Sequence, residues 1–279
     1  MNALFFGTSA FAVPSLRVTA QRTELAGVVT QPDRPAGRGH KLAPSPVKAA
    51  AADLGLRVYH PEKLGAFARE IAGTPFDVFV LASYGRILPQ SLLDVPRLGA
   101  LNVHPSLLPR YRGATPIQTA LRNGDAETGA SIMLMDAGMD TGPIVLQREV
   151  AIEPGESYGA LHDRLAAIGA ELLGEALGLA AAGALPRAPQ RGEPSVTRPI
   201  AKDDLTIDWT WPPQRIVDWV RAYSPQPAAR AIIDGETVKL LRAHVGSDGG
   251  LVVDELIAPN RGKASGAAYL RGRAWPTQG

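Results

Sequence analysis

Short apolar runs alternate with longer helical patterns through the first two thirds of the chain. "ALFF" (3–6), "LAGVVT" (25–30), "DVFVLA" (77–82) and "ALNVH" (100–104) are almost continuously hydrophobic, the pattern of strands buried on both faces of a parallel sheet. The Ala- and Leu-rich segments between them are long enough to close right-handed crossovers. Further strands are predicted at "ASIMLM" (130–135) and "PIVLQREV" (143–150), and a long helix over 157–183, opened by Ser157 as N-cap and closed by Gly183. Together these predict a Rossmann-like, doubly wound, mostly parallel α/β sheet over residues 1–186.

The pattern then changes. Residues 184–202 hold four prolines, no apolar periodicity, and Arg187, Arg191, Arg198 and Lys202 against Glu193 alone. Such a stretch reads as an extended basic linker, placed at 187–204. Beyond it, "PPQRIVDWVRAY" (212–223) is helix-like, and "ARAIIDGETVKLLRAHV" (229–245) alternates around the hairpin signal Asp234-Gly235. Residues 205–279 are therefore expected to form a small β domain. From Ala258 onward it carries Arg261, Lys263, Arg271 and Arg273 and no acid.

Composition narrows the chemistry. The chain has 279 residues and 45% hydrophobic content, enough for one large and one smaller domain. It contains 0 cysteines, which excludes disulfides, thiolate zinc and cysteine nucleophiles, and fits a reducing cytoplasmic setting. The N-terminus lacks a signal-peptide pattern, and no apolar run approaches the roughly 18 residues of a membrane span, so a soluble protein without membrane contact is expected. A formal net charge of +2 is too mild to announce nucleic acid, so any basic footprint must be local. The five histidines, at 40, 60, 104, 162 and 244, show no HxxxH or HExxH pairing, and no metal site is expected.

Candidate chemistry sits in "ALNVHPSLLPRYRG" (100–113). Residues i and i+2 of a strand share a face, so Asn102 and His104 project side by side at a strand end, where ligands of open α/β sheets bind. Their pairing suits either a satisfied core or a reaction site. "MDAGMDTGPI" (135–144) adds carboxylates in a Gly-rich loop, where Asp140 could orient or charge an imidazole; alone, such a loop is merely a turn. Ser106 in "HPSLLP" is no nucleophile elbow.

Together "NVHPSLLPRYRG", "TPIQ" and "MDAGMDTGPI" resemble the signature of the folate-dependent formyltransferase family, with Asn102, His104 and Asp140 on its three catalytic positions. "FFGTSAFAVPSL", "TQPDRPAGRGHKLAPSPVK" (30–48), "SYGRILP" (83–89) and "IDW" (207–209) resemble the branch acting on methionyl-tRNA, and the similarity spans nearly the whole chain. The resemblance implies formyl transfer from 10-formyltetrahydrofolate to the α-amine of methionine on initiator tRNA, without a metal, by a monomer. It further implies that Ser106, Leu107, Leu108 and Pro109 line the folate site, with a cis peptide before Pro109, and that the backbone of Arg86, Ile87 and Leu88 meets the pterin. Without it, 86–88 is an ordinary strand-to-helix turn. The chemistry is coherent with these residue types. Attack of an amine on a formyl carbon creates an oxyanion, which Asn102 and an imidazolium at His104 can stabilise, while Asp140 holds His104 and takes the amine proton through water.

The 31–48 segment is long, Pro- and Gly-rich, and carries Arg34, Arg38, Lys41 and Lys48 against Asp33. In isolation it is a solvated loop; by resemblance it is the element that meets the tRNA acceptor stem, through Arg34, Arg38 and Lys41. Two other readings stand beside this one: a formyltransferase acting on an amino nucleotide sugar or a glycinamide ribotide, and a tRNA-binding protein without catalysis. Three departures from the family pattern are visible. Ser9-Ala10 replaces the common Pro-Asp, "YSPQPAAR" (223–230) lacks a tryptophan, and the C-terminal OB-like barrel is shortened by a hairpin or more, leaving a five-stranded closure open.

Overall fold

The computed structural model describes residues 1–36, 41–259, 262–271 and 275–276 and divides into two compact units. Unit 1 takes residues 1–112, 129–149 and 163–195; unit 2 takes 113–128, 150–162 and 196–279. The units thus interleave along the chain.

Unit 1 begins with β1 (Asn2–Gly7), α1 (Ala12–Arg22) and β2 (Glu24–Val29), then the antiparallel pair β3 (Arg34–Ala36) and β4 (Lys41–Ala43). It continues through α2 (Pro46–Asp53), β5 (Val58–Tyr59), α3 (Leu64–Ile71), β6 (Val78–Ala82), α4 (Gln90–Leu93) and β7 (Ala100–His104). Past β8 (Arg112–Gly113) and α5 (Pro116–Arg122) come β9 (Glu127–Leu134), β10 (Ile144–Ala151) and α6 (Tyr158–Ala181). One seven-stranded sheet runs β10-β9-β7-β6-β1-β2-β5. Its centre is parallel, with β1 between β2 and β6, and β6 beside β7. Every residue of β6 is buried, as expected of a strand covered on both faces.

Beneath it lies an aromatic cluster. Phe79 packs against Phe6 and Phe76 with ring centroids 5.2 and 5.3 Å apart, and Tyr84 meets Phe6 edge-on at 5.6 Å. Burial of such rings contributes about 1.5–3 kcal/mol apiece, and anchors the strands whose ends carry polar groups. The register aligns those ends: Gly7 lies beside Ala82, and Ala82 beside Val103. Side chains tie the following loops together. Ser9 Oγ donates to Ser83 Oγ (2.7 Å), Thr8 Oγ1 to Tyr84 O (3.0 Å), and Gln31 Nε2 to the same carbonyl (2.7 Å). The Ser9 substitution therefore supplies a bond between two loops.

The hydrophobic pattern found every central strand to within two residues, but it missed a reversal. β9 runs antiparallel to β7, pairing His104 with Ser131 and Asn102 with Met133. The extended run 184–202 carries specific bonds. Ala188 exchanges two backbone hydrogen bonds with Ile144 (2.7 and 2.9 Å), and Arg198 forks onto Asp204 at 2.7 and 2.6 Å. Prolines supply no amide donor, so the segment's backbone bonds come from its other residues, Ser195 N also donating to Pro109 O (3.2 Å).

In unit 2, β11 (Val196–Thr197) pairs with β8, and α7 (Pro213–Tyr223) precedes a meander of β12 (Ala229–Ile233), β13 (Glu236–Val245), β14 (Leu251–Ala258) and β15 (Gly262–Ser265), followed by α8 (Gly266–Leu270). Both residues of the Asp234-Gly235 turn have positive φ, +50° and +79°, as a type I′ hairpin needs. Among the described residues this sheet has four antiparallel strands in sequential order. The Arg198 guanidinium holds the Asp204 carboxyl below the usual carboxylate range. Asp204 also receives Trp219 Nε1 on its backbone carbonyl at 2.8 Å.

Candidate active site

β7 delivers two polar side chains from an apolar strand. Leu101 and Val103 are buried, while Asn102 and His104 project together toward the loop after β9. His104 is 4% exposed, and its ring is held from one side by Tyr111: Nε2 lies 2.9 Å from the Tyr111 carbonyl. A carbonyl oxygen only accepts, so Nε2 must carry a proton in every form of the ring. The nitrogen that faces the site is therefore Nδ1, 3.5 Å from Asp140 Oδ2. Asn102 Nδ2 stands 3.5 Å from the other oxygen, Oδ1. One carboxylate thus confronts two nitrogens, with separations longer than an ideal hydrogen bond, as is common where a substrate completes the geometry.

The carboxylate comes from a tightly closed loop. Asp136 Oδ1 accepts from Gly138 N (3.0 Å) and Thr141 Oγ1 (2.6 Å), closing an Asx-type turn. A Cβ at Gly142 would collide with the Leu134 carbonyl, so only glycine passes there. Asp140 itself has φ +53°, a left-handed conformation sparsely used by residues with a side chain. The Gly-rich pattern was legible in the sequence; the turn-closing role of Asp136 and Thr141 was not.

The segment after His104 forms a buried turn with a cis Leu108–Pro109 peptide, as the resemblance implies. Ser106 Oγ donates to Arg110 O (2.6 Å), and Ser131 Oγ to Ser106 O (2.6 Å). Gln147 Nε2 donates to Leu108 O (3.1 Å) and Ser131 Oγ (2.8 Å). Ser106, Leu108 and Pro109 are buried, with Leu107 half-buried. Ser131 and Gln147 escaped sequence reasoning because they look like ordinary strand residues. The 86–88 loop follows β6, next to β7 in the sheet. Arg86 anchors it by donating to the carbonyls of Pro61 (2.8 Å) and Glu62 (2.9 Å), leaving Ile87 82% exposed and Leu88 buried.

The basic segment is described in part. The backbones of Arg34 and Lys41 belong to β3 and β4, opposite Ala43 and Ala36 respectively, and Arg38 lies outside the described residues. Lys48 pairs with Asp33 at 2.5 Å. Among the described residues, no group of three or more His, Asp or Glu could hold a metal ion, and no helix is long and apolar enough to cross a membrane.

With this geometry established, the chain can be compared with known proteins. The family model described as "Formyl transferase" matches residues 1–177, and "Formyl transferase, C-terminal domain" matches residues 199–272. A methionyl-tRNA formyltransferase from Xanthomonas euvesicatoria pv. vesicatoria is 47% identical over 244 residues, covering 86% of this chain and 80% of that protein. One from Geobacter sulfurreducens is 44% identical over 254 residues, covering 90% and 80%. Among solved structures, an N-formyltransferase from Helicobacter canadensis in complex with folinic acid and dTDP-3-aminofucose shares the fold, with TM-score 0.70 at 17% identity over 92% of this chain and 94% of that one.

The Tyr111 contact generates a direct test. NMR of ring-labelled histidine is expected to find His104 protonated at Nε2 in every form of the ring. A neutral ring carrying its proton on Nδ1 alone would mean that Nε2 does not donate to the Tyr111 carbonyl, and would contradict this assignment.

Proposed function

We propose roles for these residues on one premise: this chain belongs to the methionyl-tRNA formyltransferase family. The observation that carries the proposal is the convergence of Asn102, His104 and Asp140 within 3.5 Å separations at the carboxyl edge of a formyltransferase sheet. The formyl donor we assign is 10-formyltetrahydrofolate, and the acceptor is the α-amine of methionyl initiator tRNA, in cytoplasmic translation initiation. All three polar groups come from one chain, so a monomer suffices.

The neutral amine attacks the formyl carbon, forming a C–N bond while the carbonyl oxygen takes the electron pair. Asn102 Nδ2–H and His104 Nδ1–H donate to that oxyanion; losing one such donor typically costs ~10²- to 10³-fold in rate. With Nε2–H given to Tyr111, a proton on Nδ1 makes the ring an imidazolium, and Asp140 balances that charge. Asp140 also accepts the proton that the amine nitrogen sheds, directly or through water. Collapse of the intermediate breaks the carbon–N10 bond, and N10 leaves as tetrahydrofolate with the proton that the amine gave up, passed on from Asp140 directly or through water. No step draws on a metal.

The folate is assigned to the 86–88 loop and the 106–109 turn. Backbone groups of Arg86, Ile87 and Leu88 suit the amide-like edge of a pterin, and exposed Ile87 offers it an apolar contact. Ser106, Leu108 and Pro109 shape the turn from beneath, and Leu107 presents the more accessible side chain. Arg34, Arg38 and Lys41 are assigned to acceptor-stem phosphates, since residues 31–48 carry four basic residues against Asp33 alone. A nucleotide-sugar acceptor ranks lower: the sugar-associated neighbour is related at 17% identity, against 44–47% for the two tRNA-formylating relatives.

Asp140→Asn keeps shape and removes charge, so kcat should fall at least ~10²-fold with little change in tRNA affinity; near-parental turnover would contradict the assignment. For the acceptor, the Arg34→Ala, Arg38→Ala, Lys41→Ala variant should flatten the dependence of log K on log salt by ~2 to 3 units and lower formylation of charged tRNA at least ~10²-fold, with folate binding retained. An unchanged slope and rate would remove the segment from the tRNA interface.

A further inference from the structure

Asp140 occupies a backbone conformation that its neighbours must enforce, and part of that enforcement comes from a residue outside its own loop. Gln190 Nε2 donates to Asp140 O (2.8 Å) and to Gly142 O (2.9 Å). Gln190 Oε1 accepts from Arg112 Nε (3.1 Å) and Nη2 (2.6 Å). A primary amide has two N–H donors and two lone pairs, and here all four are engaged. Flipping the amide would aim its N–H groups at a guanidinium and its oxygen at two carbonyls, so the orientation is fixed by partners on both sides.

We propose that Gln190 is a positioning residue for the formyl-transfer step: held by Arg112, it fixes the backbone of Asp140 and thereby the carboxylate that faces His104 and Asn102. The proposal rests on the reading of Asp140 given above. Gln190 touches backbone carbonyls rather than the carboxylate, so it acts through Asp140. A left-handed non-glycine residue persists only where surrounding structure over-determines it, and two carbonyls clamped by one amide do that.

The clamp also closes a circuit. Arg112 follows Tyr111, whose carbonyl holds His104 Nε2. Tyr111 N donates to Ser195 Oγ (2.8 Å), and Arg112 N to Ser195 O (2.8 Å), so residues 188–195 are fastened to the 109–112 turn as well as to Ile144. The imidazole and the carboxylate are thus positioned from one scaffold: His104 through Tyr111, and Asp140 through Arg112 and Gln190. The segment that reads as a spacer in the sequence supplies the link.

The test uses the full-length enzyme with charged tRNA and 10-formyltetrahydrofolate. Gln190→Ala should lower kcat ~10- to 100-fold while KM for either substrate changes less than ~3-fold, because the loss is in orientation at the reacting centre. Gln190→Glu keeps the size but turns a carboxylate toward two carbonyls, and should be at least as slow at neutral pH. Its rate relative to the parent should rise as pH falls, when protonation restores one O–H donor; a merely space-filling role predicts no such recovery. In an Asp140→Asn background, Gln190→Ala should cost less than ~3-fold further. A parental kcat in Gln190→Ala, or in Gln190→Glu should the alanine variant not fold, overturns the positioning role while leaving Asp140 in place. Parental turnover in Asp140→Asn instead overturns the reading on which it rests.

Discussion

Placing one carboxylate 3.5 Å from an imidazole nitrogen and 3.5 Å from a side-chain amide requires segments 38 residues apart to meet at one edge of a sheet. Ionised groups brought together in a partly dry site cost solvation, and they stay together only if each is gripped elsewhere. Here the grips are both backbone and side-chain atoms. Tyr111 O fixes the ring, Asp136 and Thr141 close the loop, and Gly142 lets that loop pass under Leu134. The parallel centre of the sheet supplies the rest, because its aligned strand ends bring the loops after β1, β6 and β7 to the same edge.

This arrangement is what lets the buried His104 serve in the proposed role. A ring held only by Asp140 could rotate; one that also donates from Nε2 to a carbonyl has its tautomer set, so any proton exchanged during reaction is exchanged at Nδ1. Asn102 adds a neutral donor on the same strand face. The 3.5 Å separations to Asp140 leave room for both side chains to turn toward the oxyanion of the proposed reaction.

Much of this was legible in the sequence. Continuous apolar runs located the central strands because burial on both faces leaves no polar alternation, and the i, i+2 spacing placed Asn102 and His104 together before any coordinates. Asp140 was legible as a carboxylate in a Gly-rich loop. The antiparallel course of β9 was not, since an apolar run carries no direction. Nor was the tautomer of His104, which depends on a backbone carbonyl seven residues away. The partners of the basic segment 184–202 were not legible either: composition counts charges but not partners, and Arg198 is paired with Asp204 while Ala188 is bonded into unit 1.

The central claim is that Asn102, His104 and Asp140 act as one unit on one developing charge. A double-mutant cycle of Asn102→Ala with Asp140→Asn, read on kcat for formylation of methionyl-tRNA, tests it most directly. Groups that act as a unit are strongly non-additive, so the double variant should be within ~3-fold of the slower single variant. A double variant slower by the full product of the two single losses, on the order of 10⁴-fold, would show that the two residues stabilise the reaction independently and would contradict the account.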